Sequence, residues 1–174
     1  MTLSVRIMDE IVSSFIDYPD NSSIALCVVV MGCGHNCPGC QNPLFQNPNY
    51  EQGTRIVTVE SLINELKTRC KREHTNKIVL SGGDILFDKN INFTKELLNK
   101  MSDNYDFCLY TGYNIDYVKT NDIKGYKFIK CGVFDKTKYV KPDKTDDFIQ
   151  FASTNQKLYN YKNELISING RYNF

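Results

Sequence analysis

Residues 24–40 read IALCVVVMGCGHNCPGC, an apolar run that leads directly into a loop with three cysteines. The run Ile24–Val30 is short and rich in β-branched residues, which predicts a buried β-strand. Glycines and a proline follow it, and these residues are typical of a tight loop. The stretch therefore predicts a strand that presents the thiols of Cys33, Cys37 and Cys40 at its carboxyl end.

Strand and helix patterns alternate along the rest of the chain. Short apolar runs predict four strands, at Ile24–Val30, Ile78–Leu80, Phe107–Tyr110 and Phe128–Cys131. Apolar residues at helical spacing predict helices at 59–66, 93–101 and 114–119.

This alternation indicates βαβ units. Four clear strands are too few for a closed eight-stranded barrel. We therefore expect an α/β fold that forms a partial, open (β/α) barrel with a mostly parallel sheet. An edge strand within Val5–Val12 and a late strand at Leu165–Ile168, followed by a turn at Asn169–Gly170, complete the predicted fold.

The bulk composition is that of an ordinary globular protein. A length of 174 residues suits a single domain spanning residues 1–174. The formal net charge of +1 gives no electrostatic reason to expect nucleic acid as a partner. Residues 1–20 lack the pattern of a signal peptide, and the longest apolar run is far shorter than a membrane span. We therefore expect a cytoplasmic protein with no membrane partner.

Three of the seven cysteines fall within residues 33–40, and an odd number cannot be fully paired within one chain. In a reducing compartment, clustered cysteines indicate a metal site or catalysis rather than a disulfide framework. Three thiolates are one fewer than the four that saturate a cubic iron–sulfur cluster. One iron would keep an open position, and an open position in a metal site indicates chemistry.

Two other interpretations of the cysteine loop stay open at this point. His35 or a distant cysteine could complete a zinc site, although zinc sites usually pair two separated knuckles. A fourth cysteine could instead complete an electron-transfer cluster. The candidates for this fourth ligand are the remaining cysteines, which otherwise fit small buried hydrophobic positions: Cys27, Cys70, Cys108 and Cys131.

A second motif, Ser81-Gly82-Gly83-Asp84, follows the predicted strand Ile78–Leu80. It should face the same side as the cysteine loop, because both lie at the carboxyl ends of neighbouring strands. Two glycines let the backbone approach a ligand closely, and the Asp84 carboxylate can accept hydrogen bonds from an amine.

The order of these motifs resembles the radical S-adenosylmethionine superfamily. Further motifs narrow the resemblance to the anaerobic ribonucleoside-triphosphate reductase activating proteins, which are small activases of a glycyl radical reductase. The resemblance covers about Val5 to Gln156. Besides the cysteine loop and the glycine turn, its motifs are Tyr110-Thr111-Gly112-Tyr113 and Ser153-Thr154-Asn155-Gln156.

The resemblance implies a [4Fe-4S] cluster on the three cysteines and S-adenosyl-L-methionine on its open iron. The cofactor would be cleaved to a 5′-deoxyadenosyl radical, which takes a hydrogen atom from a glycine Cα of the partner. No catalytic side chain is implied beyond the cluster and the cofactor. The implied metal ligands are Cys33, Cys37 and Cys40. The amino end of the cofactor would contact Gly82, Gly83 and Asp84. The adenine of the cofactor would contact Gly39, Cys40 and Gln41.

The implied partners are the large subunit of the anaerobic ribonucleoside-triphosphate reductase and a reduced flavodoxin-type electron donor. Two alternatives remain beside this function. One is activation of a different glycyl radical enzyme. The other is a non-enzymatic iron–sulfur electron carrier, in which a fourth cysteine closes the cluster.

Overall fold

The structure is a computed structural model, and it describes residues 2–20, 22–141 and 151–167. Its strands are β1 Ser4–Met8, β2 Val12–Ser14, β3 Ala25–Val30, β4 Thr54–Thr58, β5 Lys77–Gly82, β6 Asp106–Thr111, β7 Phe128–Cys131, β8 Lys157–Asn160 and β9 Leu165–Ser167. Its helices are α1 Val59–Glu73, α2 Ile91–Met101 and α3 Ile115–Thr120, and short 3-10 turns lie at Pro43–Gln46 and Lys136–Lys138.

The strands form one mixed sheet of nine strands in the described part of the chain. Its order is β4-β1-β3-β5-β6-β7-β8-β9, and β2 also pairs with β3. Only the central strands β3, β5, β6 and β7 pair in parallel. The pairings of β1, β2, β4, β8 and β9 are antiparallel. The prediction of a partial, open (β/α) barrel with a mostly parallel sheet is therefore wrong, although the α/β class is right.

The connections between the strands explain this difference. A parallel pair needs a long crossover, usually a helix, whereas a short connection returns the chain antiparallel. Helices α1 and α2 supply such crossovers before β5 and β6, and α3 supplies one before β7. No helix separates β1 from β3, and only residues 161–164 join β8 to β9. The apolar periodicity located the four central strands but gave no direction for the short outer ones.

Local sequence signals account for the starts of α1 and α3. Thr58 caps α1 in a reciprocal arrangement. Its side chain accepts a hydrogen bond from the Ser61 amide, and the Ser61 side chain accepts one from the Thr58 amide. Asn114 caps α3 by accepting from the Tyr117 amide at 2.9 Å. The strand predicted within Val5–Val12 corresponds to β1, but it lies between β4 and β3 and is not an edge strand. The late strand corresponds to β9. Ile168 and the predicted turn at 169–170 lie outside the described residues.

The two faces of the sheet differ. The apolar residues of α1, α2 and α3 pack on one face with alternate residues of the central strands and form the main core. The other face carries a smaller cluster that includes Tyr18, Phe128 and Phe151. This second face is therefore free to hold a cavity. Of the helices in the described part of the chain, none has the length and apolar character to cross a membrane.

Candidate functional site

A cavity of about 720 Å³ opens at the carboxyl end of the parallel strands. Its wall carries most of the residues that the sequence motifs single out: Cys33, Cys37, Cys40, Gln41, Gly82 and Gly83. Residues from the loops after β3 and β5 thus meet at one site, as the positions of the motifs predicted.

Backbone hydrogen bonds fix the cysteine loop to its surroundings. The Gly32 amide donates to the Phe45 carbonyl at 2.8 Å, and the Cys33 amide donates to the Gln46 carbonyl at 3.0 Å. Within the loop, the Cys40 amide donates to the Cys37 carbonyl at 3.1 Å. The last bond closes a turn that brings these two cysteines to the same stretch of the cavity wall.

The glycine turn after β5 packs directly against the cysteine loop. The Gly83 amide donates to the Val30 carbonyl and the Asp84 amide to the Gly32 carbonyl, both at 2.7 Å. A Cβ on Gly82, whose φ is +120°, would lie 2.3 Å from the Val30 oxygen. Glycine is therefore required here by the close approach of two protein backbones.

Asp84 is buried beneath this turn, and its side chain accepts hydrogen bonds from four groups of the protein. The Leu86 amide and the Gly112 amide each donate at 2.8 Å. The Thr111 hydroxyl donates at 2.9 Å, and His35 Nε2 lies 2.8 Å from Oδ2. With only 1% of the residue exposed, the carboxylate joins the β5 turn, the end of β6 and the cysteine loop.

His35 reaches this carboxylate from between the first two cysteines. Its ring packs edge-to-face on Tyr113 with centroids 4.5 Å apart, and Tyr113 stacks on Tyr117 at 3.8 Å. Its backbone amide lies 3.5 Å from Cys33 Sγ. A Cβ on Gly112 would lie 2.4 Å from the His35 ring, so glycine at that position makes room for the imidazole.

The thiols fit an iron–sulfur cluster with three protein ligands. Cys33, Cys37 and Cys40 are unpaired and partly buried. Burial raises the pKa of Cys33 to about 11, so metal binding there would release a proton. The structure describes all seven cysteines, and the other four are buried and do not line the cavity: Cys27 and Cys108 lie in the smaller cluster, and Cys70 and Cys131 in the main core.

A mononuclear metal site fits this geometry less well. Ligand atoms of Cys33, His35 and Asp84 lie within 4.8 Å of one another. However, His35 Nε2 and the Asp84 carboxylate already form a hydrogen bond with each other at 2.8 Å. A metal ion would have to break this pair, whereas a cluster on three thiols leaves it intact.

Two of the predicted site residues do not line the cavity. Asp84 lies behind its wall, and Gly39 faces Lys136 and Phe134. Sequence reasoning considered His35 only as a candidate zinc ligand and did not predict its contact with Asp84. It also missed Asn90, which donates to the Met31 and Asp84 carbonyls at 2.9 and 2.8 Å, and Lys130, which lines the cavity. Of these residues, only Lys130 could have been identified from the sequence, because it is a charged residue inside an apolar strand.

Comparison with known proteins agrees with this site. The family model described as a 4Fe-4S single cluster domain matches residues 23–159. The anaerobic ribonucleoside-triphosphate reductase-activating protein of Escherichia coli K12 is 30% identical over 137 residues, which are 76% of this chain and 86% of that protein.

The chain belongs to the anaerobic ribonucleoside-triphosphate reductase-activating protein family.

Two further members of the reductase-activating protein family are similar to this chain. That of Haemophilus influenzae is 28% identical over 140 residues, covering 76% of this chain and 85% of its own length. The activating protein of bacteriophage T4 is 28% identical over 113 residues, which are 63% of this chain and 70% of that protein. The region matched by the family model includes the cysteine loop, the glycine turn and the end of β6, so it contains all three cysteines of the cavity wall.

Proposed function

We propose that this protein activates an anaerobic ribonucleoside-triphosphate reductase by radical chemistry. Cys33, Cys37 and Cys40 would hold a [4Fe-4S] cluster, and S-adenosylmethionine would bind beside it in the cavity. When bound, these two groups supply the one-electron chemistry that ends in hydrogen abstraction from a glycine of the partner. The observation that carries the proposal is the set of three thiols on one cavity wall, next to the glycine turn.

The chain's own residues hold and orient these groups. The hydrogen bonds of Asp84 keep the cysteine loop against the β5 turn, so the cavity wall has a fixed shape. Gly82 and Gly83 line the wall, and we propose that their backbone contacts the amino end of S-adenosylmethionine. We propose that Gly39, Cys40 and Gln41 contact the adenine of S-adenosylmethionine. Gly39 would shape the turn between Cys37 and Cys40.

The rim of the cavity fits a protein partner. Ile16, Val133 and Tyr139 line the cavity and are exposed, and Leu44 is exposed beside them in the turn that contains Phe45. Exposed apolar residues around an opening are typical of a surface that another protein covers. A reductase docked here would exclude water from the reaction.

Three finer statements belong to the same proposal. The electron donor would be a reduced flavodoxin-type protein, which rests on the family resemblance alone. The chain would act as a single radical S-adenosylmethionine domain, in agreement with the single sheet of the described residues. A cytoplasmic location stays a prediction from the sequence.

The test is anaerobic. The protein is reconstituted with iron and sulfide, reduced, and mixed with S-adenosylmethionine and the reductase; 5′-deoxyadenosine and the glycyl radical signal are then measured. We expect both products with the wild type and neither with Cys33→Ala, Cys37→Ala or Cys40→Ala. A stable cluster without cleavage, even with the reductase present, would contradict the proposal and favour an electron carrier. A radical on a different glycyl radical enzyme, but not on the reductase, would support that alternative partner.

A further inference from the structure

His35 lies in the cysteine loop between Cys33 and Cys37, and its backbone amide contacts the sulfur of the first of them. The amide donates a hydrogen bond to Cys33 Sγ with an N···S distance of 3.5 Å. The chain then turns at Asn36, whose φ is +49°, a left-handed conformation that asparagine adopts more readily than most residues. In such a short turn the amide keeps its direction only if His35 itself is held in place.

The imidazole of His35 is held by segments outside the cysteine loop. Nε2 lies 2.8 Å from Asp84 Oδ2, and only 15% of the His35 side chain is exposed. The ring packs edge-to-face on Tyr113, with the two centroids 4.5 Å apart. On another side it lies against Gly112, where an added Cβ would be 2.4 Å from His35 Cδ2. The turn after β5 and the end of β6 therefore fix this side chain together.

Asp84 keeps its position independently of His35. Its carboxylate also accepts hydrogen bonds from the amides of Leu86 and Gly112 at 2.8 Å and from the Thr111 hydroxyl at 2.9 Å. These three donors remain when the imidazole is removed. The bond between the two side chains thus anchors the cysteine loop on a fixed point, and a change at His35 should loosen the loop more than the turn.

We propose that His35 is a positioning residue for the cluster: its imidazole, held by Asp84, keeps its own backbone amide on Cys33 Sγ, and this hydrogen bond makes the cluster easier to reduce. The inference rests on the proposed function, because it concerns the cluster that the three cysteines would hold. Reduction transfers one electron from the donor protein to the cluster and increases the negative charge on its sulfurs. An N–H donor stabilises this charge, and groups behind the ligands commonly tune metal sites in this way.

The experiment compares two replacements of similar size. The side chain introduced by His35→Leu cannot bond Asp84, whereas the amide introduced by His35→Gln can donate to it. Tyr113→Leu is a second variant, because it removes the ring beside the imidazole and none of the donors to Asp84. His74→Asn is the matched control: His74 is the other histidine of the chain, exposed at the end of α1, and asparagine tolerates its φ of +53°.

Each protein is reconstituted anaerobically with iron and sulfide, without S-adenosylmethionine. Its reduction potential is then measured by redox titration, followed by electron paramagnetic resonance of the reduced cluster. We expect iron and sulfide contents equal to the wild type in every variant. At a fixed applied potential, His35→Leu should lower the ratio of reduced to oxidised cluster by roughly tenfold, a shift of about 59 mV for one electron. Tyr113→Leu should shift the potential in the same direction, His35→Gln should recover most of the loss, and His74→Asn should match the wild type.

Three results would overturn the proposal. One is a potential that is unchanged or raised in His35→Leu, or in Tyr113→Leu if His35→Leu does not fold. Another is an equal shift for His35→Leu and His35→Gln, because the potential would then not follow the bond with Asp84. The third is loss of iron from folded His35→Leu, which would make His35 a ligand. If the wild type forms no cluster, the proposed function itself fails, which is a different result.

Discussion

The imidazole Nε2 of His35 lies 2.8 Å from the Asp84 carboxylate and joins the cysteine loop to the turn after β5. The two residues are 49 positions apart in the chain. The geometry makes Asp84 a buried acceptor for donors from three segments. It places His35 between Cys33 and Cys37, two of the proposed cluster ligands, without requiring His35 as a ligand.

Replacing Asp84 with Asn should destabilise the protein. The amide keeps the size of the side chain but loses the charge. It has one acceptor oxygen, whereas the carboxylate has two acceptor oxygens that bind four donor groups. We expect a loss of about 2–4 kcal/mol in the free energy of unfolding, measured by denaturant titration of the reconstituted protein. Asp88→Asn, an exposed change in the same turn, should stay within about 0.5 kcal/mol. A loss no larger than that of the control would show that the network around Asp84 contributes little.

Replacing His35 with Gln should leave the cluster in place. The three thiols are the proposed ligands, and His35 Nε2 is already engaged by Asp84. We expect iron and sulfide contents equal to the wild type, measured by chemical analysis after reconstitution, whereas Cys33→Ala should lose the cluster. If His35→Gln lost metal as Cys33→Ala does, or if the protein purified in air carried zinc that this variant lacks, the mononuclear site would be the better interpretation.

Gly82→Ala should be among the most damaging single changes in the chain. The added Cβ would lie 2.3 Å from the Val30 oxygen, at a φ of +120°. We expect a destabilisation of about 3 kcal/mol or more, together with reduced cluster loading, because β3 and β5 must separate. Gly53→Ala is the control: its φ is +66°, but no atom lies within 4 Å of the added Cβ. It should cost about 1 kcal/mol, measured by thermal unfolding. Similar losses for both would mean that the backbone at Gly82 adapts easily.

Substituting the four cysteines outside the loop should spare the cluster. These cysteines are buried in the two apolar clusters and do not line the cavity. We expect single Ala variants of these cysteines to keep the visible absorbance of the reconstituted protein, with modest losses of stability typical of a small buried side chain. The variants are Cys27→Ala, Cys70→Ala, Cys108→Ala and Cys131→Ala. Loss of the cluster in one folded variant would identify a fourth ligand and favour the electron carrier.

Lys130→Met should raise stability near neutral pH. Burial lowers the pKa of Lys130 to about 8, below its ordinary value of 10.5. Below pH 8 the folded protein holds a partly buried ammonium. Between about pH 8 and 10.5 the folded lysine is neutral while the unfolded one is still charged, so the stability of the wild type rises.

We therefore expect a gain of about 1–2 kcal/mol for Lys130→Met at pH 7 without ligand, after discounting the cation–π contact of Nζ with the Tyr110 ring, whose centroid lies 4.0 Å away. The gain should shrink toward pH 10. Thermal unfolding at the two pH values measures it, with Lys127→Met as the control, because Lys127 Nζ pairs with Asp106 at 3.0 Å. A variant less stable than wild type at pH 7 would show that the contact of the ammonium with the Tyr110 ring outweighs its desolvation.

Local sequence determined much of this molecule. Apolar periodicity gave the four central strands and the three helices, because burial on one face or both imposes a repeating pattern. The spacing of Cys33, Cys37 and Cys40 predicted the loop that carries the proposed cluster ligands, and the position of Gly82 after the next strand predicted that it would meet this loop. Each of these features depends on residues within a short stretch of chain.

Tertiary structure decided the rest. The direction of β1, β4, β8 and β9 follows from how their connections pack, which periodicity does not encode. The burial of Asp84 depends on donors that come from His35 and Thr111, which are 49 and 27 positions away. Lys130 reaches the cavity because β7 lies two strands from β5 in the sheet. A polar side chain becomes a structural acceptor or a ligand-binding group according to what long-range packing places around it, and sequence position alone does not fix those neighbours.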